Sequence, residues 1–416
     1  MQIYVGRDAN PNMDATLNAA CGEAGVAVRG KLTGKQLEVV GPVAARQYKK
    51  LFGENLHAFY ARSAGSSHSK VLALVYPDFL RIVITSCNLM DMDTELADNH
   101  WYIHDLPKLP SCGAAPLSQF ETDFMEHLKA LGVPESFLSS VRGRYDFTSV
   151  KVHLVTSVPG THSGAKAEKH GVLRLRRVVK DLGVDLRRKR RDGALQLEVC
   201  AASVGNLNAK WLDGFYDCAL GRKYLEVMDD NTAAEGGEYE VPDIKLFFPT
   251  VQDVRGADES AQLGAASIGC HIRQWRSAPD TIKKIFRHYR SKDIGRLFHQ
   301  KLIMAYDPRD GEEDTAPYYV YVGSANLSQS AWGALEPDKR GNEATRDLKL
   351  TKMTNFECGV VVPGELLEDL LEPGTPGWRD GIVPFVQTAE PYDLRKDKPW
   401  NDPGWVIGFP DDDGIP

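Results

Sequence analysis

The chain has 416 residues, 42% hydrophobic and 26% charged, a globular composition and a length that suits two ordinary domains or one large duplicated one. A formal net charge of −7 excludes a globally basic nucleic-acid binder but leaves room for a local basic groove, since phosphate affinity depends on where Lys and Arg sit. No apolar run approaches the roughly 18–20 residues of a membrane span, and seven widely spaced cysteines without a C-x-x-C pair argue against a disulfide framework or a thiolate zinc site.

The opening MQIYVGRD predicts a strand and a turn, and it lacks the charged-then-apolar order of a secretory signal. Residues 40–52 have helical spacing. The runs 68–77 and 80–89 are β-rich and joined by a short Pro77-Asp78 turn, which predicts a hairpin. Residues 118–132 and 134–143 predict helices, the second opening on Pro134. A second half begins near Tyr145. Its strands are predicted in KVHLVTSVPG, ALQLEVCAASVG, IKLFFPTVQDV, KLIMAYD, YYVYVGSANL and FECGVVVPG, with helices in LRLRRVVKDLG and in SAPDTIKKIFRHYRSK. Strands alternating with helices in both halves predict an α/β fold divided into 1–146 and 147–416. From Pro391 onward an Asp- and Pro-rich tail is expected to wrap the surface with little regular structure.

One internal repeat stands out. His68-Ser69-Lys70 opens a strand, and the next strand ends in Thr85-Ser86-Cys87-Asn88-Leu89. Much later His299-Gln300-Lys301 opens a strand, and the next ends in Gly323-Ser324-Ala325-Asn326-Leu327. Lys70 to Asn88 spans 18 residues and Lys301 to Asn326 spans 25, the polar insert 307–317 accounting for the longer loop. Side chains two apart on a strand share a face, so each histidine aims with its lysine. Lys70 and Asn88 are equidistant from residue 79, which predicts that hairpin pairing brings them together. Two halves joined face to face then offer one pocket with two imidazoles, two ammonium groups and two carboxamides.

That set suits phosphodiester chemistry. Two lysines and two asparagine amides hold phosphate oxygens where a metal would otherwise sit. One histidine attacks phosphorus and forms a covalent phosphohistidine, while the other protonates the leaving oxygen and then deprotonates water. No metal and no cofactor is needed.

At these residues the sequence resembles the phospholipase D superfamily, whose halves each carry H-x-K-x(4)-D followed by G-S-x-x-N. The aspartate is absent twice, with Val75 and Tyr306 in its places. That pattern, with SANLSQSAWGALE (324–336), SVPGTHSG (157–164), ASVGNLNAKWL (202–212), FFPTVQDVR (247–255) and KDKPW (396–400), is similar to the tyrosyl-DNA phosphodiesterase family over nearly the whole chain. The resemblance implies two α-β-α halves related by a pseudo-twofold axis with one active site between them, and a monomer is expected because the duplication already supplies both half-sites. It implies His68 as nucleophile and His299 as general acid and base, with Lys70, Lys301, Asn88 and Asn326 on the phosphate. Glu357 matches a family glutamate that orients a catalytic side chain, and Asn99, with Asp98 beside it, matches a family glutamine. Ser203, Ser328 and Ser67 match positions that contact DNA, although Ser203 and Ser328 read equally well as helix caps or turn residues.

The implied substrate is a single-stranded or duplex DNA 3′ end bonded to a topoisomerase I-derived peptide, the implied setting DNA repair in the nucleus, with cytoplasm or mitochondrion as alternatives, and no membrane is involved. The chain opens at what corresponds to the family's second or third strand, so the family's N-terminal extension is expected to be absent. An aromatic that precedes the family's first motif is replaced by Ala64-Gly65-Ser66-Ser67, and Phe59 or Tyr60 is the candidate substitute. The rival functions are another phosphodiesterase or nuclease of the superfamily and, in a different class, a DNA-binding scaffold with a dead site. The basic run 173–191 reads either as a DNA contact or import signal, or as a solvated helix face. Trp211 and Trp332 are expected in the core.

Overall fold

The computed structural model describes residues 3–12, 14–61, 65–183, 195–222, 241–307, 316–338 and 348–401. The fold is mixed α/β. Near the N-terminus, strand Ile3–Arg7 pairs in parallel with Leu56–Tyr60. Two helices cover it. Asp14 caps Ala15–Glu23, and a reciprocal Thr33–Gln36 capping box starts Gly34–Phe52. Their apolar faces bury Leu17, Cys21, Leu37, Val40 and Ala44, which pack with Tyr48 and Tyr60 as a small core of their own. Tyr60 is therefore a core residue, while the ring of Phe59 lies against Gly6.

The expected hairpin is present. Val71–Val75 and Phe79–Thr85 pair antiparallel, and Trp101–Pro107 adds a third strand. Helices Gln119–Ala130 and Glu135–Val141 follow. Phe120, Phe124 and Leu138 from them join Leu80, Ile82 and Ile84 of the hairpin in the main core. Pro134 sits one place earlier than expected, as the N-cap of its helix.

Among the described residues the larger sheet has eight strands. Along its main path the order runs Phe286–His288, Ile244–Phe248, Gln196–Ala201, Lys301–Tyr306, Tyr319–Gly323, Asn355–Pro363 and Ser66–Ser67, with His153–Ser157 also paired to Asn355–Pro363. Most of these strands are buried on both faces and correspondingly apolar, as Leu302, Ile303, Met304 and Ala305 illustrate. Trp211 and Trp332 lie in this core, as expected.

Two elements differ from the sequence expectation. The strand expected in IKLFFPTVQDV ends at Phe248, and Val251–Arg255 is a short helix that a Thr250–Asp253 capping box starts. The helix expected over 277–292 shrinks to a single turn, Asp280–Lys283, and Phe286–His288 becomes an edge strand. Leu246 pairs in parallel with Phe286, and burial of Ile282, Ile285 and Phe286 outweighs the local helical pattern. The helix Gly171–Asp181 explains the described portion of the basic run. Arg174 pairs with Asp123, Arg176 with Glu168, and Arg177 with Glu168 and Asp181, while Leu173, Leu175 and Val179 face inward. The stretch of that run within 184–191 lies outside the described residues. Beyond Pro391 the described backbone forms isolated bridges, such as Thr250 with Pro399 and Gly269 with Asn401. No helix among the described residues is long and apolar enough to cross a membrane.

Candidate active site

Each H-x-K segment leads into one arm of an antiparallel hairpin, and the S-x-N segment follows the other arm. Thr85 N donates to Lys70 O at 3.1 Å, extending the ladder in which Val71 faces Ile84. Lys70 therefore stands opposite Thr85, and Asn88 lies three residues further on, in the turn. The second copy repeats this offset. Leu302 faces Val322, so Lys301 stands opposite Gly323, and Asn326 is again three residues beyond. The expected direct pairing of Lys70 with Asn88 is thus corrected, because the chain leaves the ladder before reaching the asparagine.

What closes the site is an exchange between the two copies. His68 N donates to Phe356 O at 3.2 Å, and Ser324 N donates to Cys358 O at 3.0 Å. Carbonyls two apart on a strand point to the same edge, so the first histidine and the second S-x-N turn line one edge of Asn355–Pro363. The mirror arrangement uses the other copy. His299 N donates to Asp98 O at 2.9 Å, and Ser86 N donates to His100 O at 3.2 Å. Each histidine is docked on the strand that belongs with the opposite asparagine. The side chains follow the same symmetry. Ser324 Oγ donates to Glu357 Oε2 and accepts from Cys358 N, while Ser86 Oγ donates to Asn99 Oδ1 and accepts from His100 N. Lys70 Nζ donates to His68 O, and Lys301 Nζ donates to His299 O.

The symmetry breaks at the residues that face the imidazoles. Glu357 Oε2 lies 2.8 Å from His68 Nδ1 in a well-formed hydrogen bond. Asn99 is the positional counterpart of Glu357, but its side-chain hydrogen bonds go elsewhere than to His299. Its amide donates to Asp93 O at 2.7 Å and to Ala97 O at 3.2 Å. The carboxylate beside His299 is Asp93, whose Oδ2 is 3.1 Å from Nδ1. That contact is close but too poorly aligned for a hydrogen bond, so His299 Nδ1 is buried without one. Asp93 Oδ2 also accepts from Asn88 N at 3.1 Å, which ties the first asparagine to the second histidine. Sequence reasoning missed Asp93. The only signal was an acidic residue shortly after S-x-N, in the stretch that forms the short helix Asp91–Glu95, and such a residue is usually solvated.

The electrostatics bind the two copies together. Burial pushes His68 below its ordinary value, Glu357 opposes this, and the charges of Lys70 and Lys301 add to it. Burial also lowers His299, to about 3, reinforced by Lys301 and Lys70 against the opposing charge of Asp93. The lysine of each half therefore acts on the histidine of the other. Burial brings Lys70 down to about 8, with Glu357 and Asp93 opposing. Lys301, 1% exposed, falls well below the usual lysine range through burial and the charge of Lys70. Burial raises Glu357, but the charges of His68 and Lys70 outweigh it and hold the carboxyl low. Among the described residues neither lysine has a carboxylate within ion-pair distance, Glu357 and Asp93 being engaged by the two histidines, so these buried amines make a site that an oxyanion would stabilise. Both imidazoles are neutral at pH 7, and Glu357 fixes the proton of His68 on Nδ1, leaving Nε2 as a lone-pair nitrogen.

Asn326 is nearly buried, and its Oδ1 accepts from Ser203 N at 2.9 Å. Ser203 thus meets the site through its backbone. Ser328 caps the short helix Gln329–Trp332, its Oγ accepting from Ala331 N at 3.2 Å. Ser67 pairs with buried Phe356, whereas Ser66 pairs with Asn355 and shares the face of His68 and Glu357. Alternation along the strand therefore aims Ser67 away from the face of His68. A separate cavity of about 710 Å³, walled among others by His288, Arg290 and Asp397, contains none of these motif residues.

A family model described as tyrosyl-DNA phosphodiesterase matches residues 37–401. The tyrosyl-DNA phosphodiesterase 1 of Arabidopsis thaliana is 28% identical over 294 residues, covering 66% of this chain and 44% of its own. A probable tyrosyl-DNA phosphodiesterase of Schizosaccharomyces pombe is 26% identical over 294 residues, covering 68% and 50% respectively. The chain spans about half the length of these curated relatives. The crystal structure of the yeast tyrosyl-DNA phosphodiesterase superposes with a TM-score of 0.60 at 19% identity, covering 86% of this chain and 83% of that one. This last likeness identifies the fold, phospholipase D-like as the motifs implied.

Proposed function

Since this chain belongs to the tyrosyl-DNA phosphodiesterase family, we propose that it hydrolyses the phosphodiester bond between a tyrosine and a DNA 3′ end, through a covalent phosphohistidine. The observation that carries this reading is the exchange described above, in which each H-x-K histidine is docked on the opposite copy's strand and feels the opposite copy's lysine.

His68 Nε2 attacks phosphorus as the bond from phosphorus to the phenolic oxygen breaks. Glu357 accepts the Nδ1–H and stabilises the positive charge that grows on the ring. Lys70, Lys301, Asn88 and Asn326 hold the non-bridging oxygens, and removing one such donor costs roughly a hundred- to thousandfold in rate. His299 starts neutral in the empty site. The negative charge of a bound phosphodiester raises its proton affinity, so it enters the reaction as imidazolium and passes its proton to the leaving oxygen. In the second step His299 takes a proton from water, the water oxygen bonds to phosphorus and the bond to His68 breaks. The products are tyrosine, or a peptide ending the adduct, and a DNA 3′-phosphate.

The lysines and amides supply the charge stabilisation that a metal supplies elsewhere. The test is a 3′-phosphotyrosyl oligonucleotide incubated with the protein in excess EDTA, where release of tyrosine is expected. A strict requirement for divalent metal would overturn the mechanism. The finer proposals rest on the same reading: a topoisomerase I remnant as the peptide, action as a monomer in the nucleus, and a division at 146/147 that gives each half one motif copy.

A further inference from the structure

The face of the sheet that carries His68 continues past it to a residue outside the catalytic motifs. Ser66 N donates to Thr354 O at 2.8 Å and His68 N to Phe356 O at 3.2 Å, so the ladder along Asn355–Pro363 runs through 66–68. Alternation places Ser66 and His68 on one face, two strand steps or about 6.6 Å apart. Asn355 and Glu357 line the same face, joined by a bond of 3.0 Å from Asn355 Nδ2 to Glu357 Oε1. Onto this face reaches Lys31, whose Nζ donates to Ser66 Oγ at 3.2 Å and lies 2.8 Å from Asp8 Oδ2.

Lys31 is not a free surface lysine. Leu32, 1% exposed, is buried beside it and donates its N–H to Ala9 O at 2.8 Å, and Thr33 next in line is locked in the capping box. Its backbone is fixed on one side and its ammonium on the other. An ammonium has three protons, of which Ser66 and Asp8 take two, and its side chain remains 28% exposed. The separation of Ser66 from His68 matches the step between neighbouring phosphates in an extended nucleic-acid strand. Lys31 also lies outside residues 37–401, the span of the family match.

We propose that Lys31, seated on Ser66, forms a subsite for a second phosphate of the DNA strand, next to the phosphate that His68 attacks; this rests on the function proposed above. Asp8 orients the ammonium and at the same time repels the anion, so it sets the strength of this contact.

The test compares three substrates. One is a 3′-phosphotyrosyl oligonucleotide, the second carries a neutral methylphosphonate at the linkage before the scissile one, and the third is a nucleoside 3′-aryl phosphodiester with a single phosphorus. On the first, Lys31→Ala raises KM by roughly tenfold with a smaller change in kcat, the scale of one charged hydrogen bond. It also reduces the salt slope of binding by about one. On the other two, Lys31→Ala changes KM by less than about twofold. Lys31→Arg retains the wild-type KM, Lys31→Gln, which removes the charge but keeps a polar donor, behaves like alanine, and Asp8→Asn lowers KM on the oligonucleotide alone. Equal effects of Lys31→Ala and Lys31→Gln on all three substrates, or none on the first, overturn the subsite. If the wild-type protein cleaves none of the three, the phosphodiesterase reading itself fails.

Discussion

His68 and Glu357 are 289 positions apart in the chain and 2.8 Å apart at Nδ1 and Oε2. In the proposed mechanism this bond fixes which imidazole nitrogen attacks, and the carboxylate compensates the charge that attack creates. Glu357→Gln keeps an acceptor but removes that charge, so kcat is expected to fall roughly 10- to 100-fold, the usual cost of losing an orienting partner. Because Glu357 raises His68, the variant also titrates His68 at lower pH. Steady-state kinetics and an NMR titration of the ring read the two effects. An unchanged kcat would show that the carboxylate only supports the fold.

The second histidine has a different partner from the one its sequence position suggests. Asp93 stands beside it, and Asn99 spends its amide on two backbone carbonyls. Asn99→Ala is expected to lower stability by about 1 kcal/mol, the scale of a lost buried hydrogen bond, while leaving kcat within a fewfold of wild type. Asp93→Asn weakens the proton affinity of His299, so the covalent adduct resolves more slowly and accumulates. Denaturant unfolding and rapid-quench trapping of the DNA adduct separate the two variants. The reverse pattern would return the role to Asn99.

The lysines set an alkaline limit. Lys70 is held at about 8, and for a lysine the charged, phosphate-holding form exists below that value. The kcat/KM of the free enzyme is therefore expected to fall as pH rises through about 8, and to be flat with respect to Lys70 below it. Lys70→Arg keeps its charge throughout and shifts the limb upward, at a reduced plateau because the planar fork does not reproduce the point charge. A limb that stays in place in Lys70→Arg would assign it to another group, Lys301 first.

The strands and the doubled motif were legible in the sequence because they are local patterns. Alternation and β-branched runs marked Val71–Val75, Phe79–Thr85 and Asn355–Pro363, and the repeated H-x-K and S-x-N order marked the six motif residues. The structure depends further on long-range pairing that no local pattern encodes. The bond from His68 N to Phe356 O and the bond from His299 N to Asp98 O join segments with no sequence signal in common. Asp93 escaped notice because only the folded chain brings the short helix Asp91–Glu95, and with it this carboxylate, to His299. The helix expected near 277–292 failed for the same reason, since pairing of Phe286 with Leu246 is a tertiary choice that overrides local preference.

Two glycines beneath the S-x-N turn of the second copy carry the last prediction. A methyl group on Gly323 would stand 2.4 Å from Gly359 Cα and 2.7 Å from Cys358 O, both backbone atoms that cannot swing aside. Gly323 pairs with Gly359 across the ladder, and it precedes Ser324, which holds Glu357. Gly323→Ala must therefore push the two strands apart at the point where they present Ser324 and Glu357. The overpacking is expected to cost about 1–3 kcal/mol, seen as a lower unfolding midpoint. It also displaces the acceptor of His68, so kcat falls together with stability, unlike the Asn99→Ala case. At Gly359 the added methyl meets the ring of Tyr321 at 2.4 Å, a buried side chain that has no room to move. Wild-type midpoints in both alanine variants would mean that the strands do not approach as closely as the ladder requires.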